Sequence, residues 1–64
     1  MEKEILRFFH ENCAARASWS TREIADRLGV SSYTAHHWLT LLSHKGKLAR
    51  TPPRQGAATW WRLV

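Results

Sequence analysis

Between Ser20 and Ser31 the chain carries a helix start, a helix stop and a second helix start, and so tight a spacing leaves few folds open. Ser20 followed three residues later by Glu23 reads as a capping box, each side chain satisfying a backbone N–H that a helix start leaves unpaired. The predicted helix begins near Thr21, carries Ile24, Ala25 and Leu28 on one face, and ends at Gly29, glycine being suited to the left-handed cap. Val30 and Ser31 restart the chain at once. Ser31 is the predicted N-cap of a helix of about fourteen residues that runs to Lys45 and stops at Gly46. Two helices joined through a glycine and about three residues form the connection of a helix-turn-helix. Ala25 is small where the helices would touch, and Ile24, Leu28, Val30, Ala35 and Trp38 fill the apolar positions between them.

On either side of this pair the periodicity is different. Ile5, Phe8, Phe9 and Cys13 recur at three- and four-residue spacing while Glu2, Lys3, Arg7 and Glu11 take the other side, which predicts a first helix over 2–12 with Cys13 buried at its end. Residues 18–20, with Trp19 the large one, read as a very short strand. After Gly46, "KLART" and "ATWWRLV" read as strands separated by "PPRQGA", whose prolines cannot donate to a ladder and whose glycine suits a bend. In the last strand Trp61 and Leu63 are assigned to the core with Leu48, and Trp60 and Arg62 to the other side. The expected fold class is α+β, a winged helix-turn-helix of three helices followed by a two-stranded β-hairpin wing, in a single domain over residues 1–64.

Size and composition narrow the function. A chain of 64 residues buries only about 60% of its unfolded surface and has no second domain to hold a substrate. One cysteine, Cys13, cannot form an internal disulfide, which suits a reducing cytoplasm. The charged start "MEKEILRFFHEN" argues against a signal peptide or a spanning helix. Ten Lys and Arg stand against five acids, and all five acids lie in the first 26 residues. Such asymmetry marks attraction to a polyanion, nucleic acid or an anionic membrane surface.

At about 100° per residue, Ala35, Trp38, Leu39 and Leu42 fall on one side of the third helix with Leu41 at the margin. Tyr33, His36, His37, Thr40 and His44 fall on the other, although Tyr33 has the alternative of packing back on the second helix. A metal site on a helix wants ligands at i and i+4. His36 and His37 are adjacent and splayed, and the stretch has no Cys, Asp or Glu to complete a shell, so no metal and no other cofactor is expected. An enzyme is not expected either: a histidine base needs an orienting partner, and no side-chain carboxylate follows Asp26. A merely solvated face would favour Lys, Glu and Gln. Ser, Tyr, Thr and His are poorer helix formers that hydrogen-bond, which points to a contacting surface.

The stretch "STREIADRLGVSSYTAHHWLTLLSHKGKLARTPPRQGAATWWRLV" resembles the small winged-helix regulators of fimbrial operons, the PapI and FaeA class. The proline, basic, glycine, alanine-threonine, aromatic-aromatic order of the wing is the most specific part. The resemblance implies a bacterial DNA-binding regulator acting beside the leucine-responsive regulatory protein at pilus promoters. His36 stands where an arginine is often found, which removes the side chain best able to read guanine.

Combined, these readings put the third helix in the major groove, with Ser32, Tyr33, His36, His37 and Thr40 facing base edges or phosphates. Its N-terminus, capped by Ser31, would sit on a phosphate. Lys45, Lys47 and Arg50 would flank the backbone, and Arg54 at the wing tip would reach the minor groove or its phosphates. Double-stranded DNA is the expected partner, possession of a membrane partner is not expected, and a monomer is favoured over a dimer. Two alternatives stay open: a winged-helix adaptor that binds another protein and not DNA, and a histidine-based metal or pH sensor. With two histidines on the contacting face, binding to DNA is expected to tighten as the pH drops from about 7.5 to 6 at fixed salt; a flat titration of affinity over that range would count against histidine contacts.

Overall fold

A computed structural model describes residues 1–51 and 59–64. The chain runs α1 (Glu2–Asn12), β1 (Trp19–Ser20), α2 (Thr21–Leu28), α3 (Ser32–His44), β2 (Leu48–Arg50) and β3 (Trp60–Leu63). The local signals act as their chemistry requires. The Glu23 N–H donates to Ser20 Oγ at 3.2 Å while the Ser20 N–H donates to Glu23 Oε1 at 3.2 Å, closing the capping box. Gly29 takes the left-handed cap at φ 71°, and the Val30 N–H donates back to the Ala25 carbonyl at 3.1 Å. Ser31 then starts α3 by accepting from the Thr34 N–H at 3.1 Å. The helix ends at His44 with Lys45 as its cap, one residue earlier than its spacing predicts, and Gly46 turns the chain at φ 77°.

The sheet is larger than a hairpin. Its order is β1-β3-β2, all antiparallel, so the two residues of β1 form a third strand. Trp19 pairs with Trp61 and Ser20 with Trp60, and the ladder continues through the Thr21 N–H to the Thr59 carbonyl at 3.2 Å. On the other side Leu48 pairs with Leu63, Ala49 with Arg62 and Arg50 with Trp61. Residues directly opposite on neighbouring strands share a face. Trp19, Trp61 and Arg50 therefore form one row across the side that meets the helices, and Ser20, Trp60 and the Ala49–Arg62 pair lie on the other. The expected bend "PPRQGA", with Arg54, lies outside the described residues.

Ile5, Phe8 and Phe9 of α1, Ile24 and Ala25 of α2, Ala35, Leu39 and Leu42 of α3, and Trp19, Leu48 and Trp61 of the sheet make one core. Trp61 is 0% exposed, and its indole N–H is not left unsatisfied: it donates to Thr21 Oγ1 at 2.7 Å. That bond ties the middle strand to the first turn of α2. Trp19 meets Phe8 edge-on with ring centroids 5.1 Å apart and closes the core at the end of α1. Cys13, expected to be buried there, is exposed instead, because α1 ends at Asn12 and Cys13 is its cap, beyond the last helical residue. Lys45 and Glu2, 2.7 Å apart, join the end of α3 to the start of α1.

Glu23 is held by more than its cap. The Arg16 guanidinium hydrogen-bonds its carboxylate, the largest effect, and with the Ser20 N–H lowers its pKa from 4.5 to about 2. Ionised Glu23 therefore favours the folded chain; the contribution is full above 4.5 and is lost as the pH falls towards 2. In acid titrations of thermal stability, the gap between the wild-type chain and Glu23→Gln should narrow across that window; a constant gap would show that Arg16 and the cap do not hold the carboxylate. For Gly29→Ala, a left-handed backbone with nothing within 4 Å of an added Cβ predicts conformational strain without a clash. The cost should be roughly 1 kcal/mol, a drop in melting temperature of about 4–8 °C.

Candidate nucleic-acid interface

The outer side of α3 begins with Tyr33, which is 86% exposed and does not fold back on α2. Tyr33, His36, His37, Thr40, Leu41 and His44 follow one another at three- and four-residue spacing and line a shallow groove of about 330 Å³. The stripe carries no acid, since every acidic residue of the chain precedes Arg27. His37 stands edge-on to Trp38, centroids 5.4 Å apart, which braces its ring against the helix.

His36 occupies the margin of the stripe nearest the sheet. Its ring meets the buried Trp61 ring edge-on at 5.8 Å, and the Arg50 guanidinium lies 5.9 Å from the centre of the same ring. One buried indole therefore has both a residue of α3 and a residue of β2 against it. Both are exposed beyond that contact. An Arg stacked on an aromatic face keeps its outward N–H groups available, so Arg50 can be oriented by Trp61 and still meet an anion. Lys47 is exposed between α3 and β2, with its backbone tied to the Leu42 and Val64 backbones.

The other residues predicted for this surface are placed as follows. Ser31 spends its hydroxyl on the cap and on Thr34 Oγ1, 3.0 Å away, while Ser32 is exposed in the first turn. Thr40 is half-buried, and its Oγ1 is covered with no hydrogen-bond partner among the described residues. Lys45 is half-exposed but paired with Glu2. Leu41, which the helical wheel put at the margin, belongs to the groove. The signal was present in its spacing of four from His37 and three from His44, but a leucine in an otherwise polar stripe reads first as core. Among the described residues, no group of three or more His, Cys, Asp or Glu is placed to hold a metal ion. No helix there is long and apolar enough to cross a membrane.

A second cationic cluster lies around Trp19. The Arg16 guanidinium sits 4.1 Å from the Trp19 ring centre and 5.8 Å from that of Trp60, with Arg27 5.5 Å from Trp19. Arg16 is also paired with Glu23, so this cluster is partly neutralised and serves to cover the sheet end.

Comparison with known proteins agrees with this architecture. Residues 1–64 match the family model described as FaeA-like protein. The chain is 42% identical over 62 residues to the F1845 fimbrial adhesin operon regulatory protein DaaF of Escherichia coli, covering 97% of this chain and 79% of that protein. It is 40% identical to the Dr hemagglutinin AFA-III operon regulatory protein AfaF, covering 97% and 69%, and 40% identical to a major pilus subunit operon regulatory protein, covering 98% and 77%, both of Escherichia coli. Among solved structures, one describing the DNA recognition and protein interaction domains of HOP2 superposes with a TM-score of 0.77 at 18% identity, over 98% of this chain and 97% of that one. At that identity the likeness speaks for the winged-helix fold alone. Matched along its whole length and sharing two fifths of its residues with these regulators, the chain belongs to the FaeA-like family.

Proposed function

We propose that this protein is a cytoplasmic, sequence-reading DNA-binding regulator of a fimbrial operon, with α3 entering the major groove and no catalytic activity of its own. The observation that carries the reading is the junction at Trp61, where His36 of the acid-free helix face and Arg50 of the sheet lie within 6 Å of one buried ring. The relatives named above are regulatory proteins of fimbrial and pilus operons, which supplies the target class. In this arrangement Tyr33, His36 and His37 meet base edges, and the α3 N-terminus with Ser32 meets a phosphate. Lys47 and Arg50 bind the backbone beside the groove. Arg54 joins them on the strength of its place in the sequence.

The domain measures 30 × 24 × 23 Å, less than one turn of a duplex, which is about 34 Å. A monomer of that size makes about five or six phosphate contacts and binds weakly at physiological salt. Such weakness suits a protein that acts beside a larger one already on the DNA, and the family resemblance supports the leucine-responsive regulatory protein as a candidate for that partner.

Fluorescence anisotropy with a labelled duplex tests this reading. The logarithm of affinity should fall with the logarithm of salt with a slope of about −5. Arg50→Ala should weaken binding on every sequence and reduce the slope by about 1, whereas His36→Ala should weaken binding mainly on the preferred sequence. Arg7→Ala, on the exposed side of α1, should leave both unchanged. Absence of binding at low salt would favour the protein-adaptor alternative.

A further inference from the structure

Leu41 is the apolar residue of α3 that the core does not use. The partly buried residues that pack on the core are Leu6, Leu28, Val30, Trp38 and Leu63, and Leu41 is not among them. It lines the outer groove instead, four residues after His37 and three before His44, with Tyr33 one further turn back. A leucine kept only partly buried along a contacting stripe gives up burial that the other leucines of its helix, Leu39 and Leu42, obtain in full.

What the stripe lacks is as informative. Between Ser32 and His44 there is no Arg, Lys, Asn or Gln, the side chains that pair bidentately with guanine and adenine in the major groove. The Thr40 hydroxyl is covered. The groove therefore offers ring edges and one branched aliphatic group. In the major groove only one base presents an aliphatic group to match: thymine, through its C5 methyl.

We propose that Leu41, with the rings of His37 and His44 beside it, is a specificity-determining residue that receives a thymine methyl group of duplex DNA. The inference rests on the DNA-binding reading and adds the feature that is read. The choice of DNA over an apolar protein segment follows from charge: α3 carries no acid, and the exposed Arg50 shares the Trp61 ring with His36, which lines the same groove. The groove holds an apolar contact, and Arg50 at its His36 side holds a phosphate.

The test uses the unaltered full chain. Duplexes are selected from a random-sequence library, and the enriched sequence is remade with deoxyuridine in place of thymidine, a change that removes only the C5 methyl. The wild-type chain should lose about fourfold in affinity per contacted thymine, the fold-change that corresponds to about 0.8 kcal/mol for one buried methylene-sized group. Leu41→Ala should bind the two duplexes alike, with its helical circular dichroism retained because the residue is outside the core. Equal binding of the two duplexes by the wild-type chain would overturn the inference and leave DNA binding standing. Discrimination undiminished in a folded Leu41→Ala would assign the methyl contact elsewhere and also overturn it. If no duplex is enriched, the DNA-binding reading falls and this inference falls with it.

Discussion

The fully buried Trp61 is the contact on which the arrangement of this small domain depends. It sits in the middle strand, with Trp19 and Arg50 opposite it on either side, and its indole N–H is anchored to the Thr21 hydroxyl at the start of α2. A chain of 64 residues has little core to spare. One indole that belongs at once to three strands, the first turn of α2 and the flank of α3 therefore fixes how the sheet meets the helix-turn-helix.

The same residue relates the two parts of the candidate interface. His36 and Arg50 are fourteen positions apart in the chain and belong to different kinds of element, yet each rests against the Trp61 ring. This sets a division of labour. In the proposed complex the helix face offers shape and single hydrogen bonds, while Arg50 stands beside it across the Trp61 ring. Such a surface favours selectivity over affinity, since phosphate contacts supply most of the binding free energy and base contacts most of the discrimination. Lys45 shows the limit of counting charges: its ammonium is already engaged by Glu2, and it contributes to closing α1 on α3.

How much was legible in the sequence follows from the range of the forces involved. Caps are local, so Ser20, Glu23, Gly29 and Ser31 announce α2 and α3 within a residue of their observed ends. The winged-helix class followed from these caps and from the change of period after Gly46. The short strand around Trp19 was legible, but its pairing into the sheet was not, because two residues show no alternation and the partner of Trp19 lies 42 positions away. Cys13 had the right spacing for the core, but α1 ends one residue before it, so the helical period no longer applies there. In the candidate site the wheel found Tyr33, His36, His37, Thr40 and His44, whereas the burial of the Thr40 hydroxyl and the place of Leu41 in the groove depend on packing that no wheel shows. Pairing of Lys45 with Glu2 and of His36 with Trp61 depends on tertiary packing, to which no local pattern points.

In the proposed complex α3 and β2 present one surface to a duplex, held together by Trp61. The most direct test of this proposal is an NMR titration of the labelled chain with double-stranded DNA at low salt. Chemical-shift changes should concentrate on Ser32, Tyr33, His36, His37, Leu41, Lys47 and Arg50, with the Trp61 indole N–H shifting alongside them because it lies beneath both contributors. Shifts confined to α1 and the outer side of the sheet, with the α3 stripe and the Trp61 indole unmoved, would contradict it.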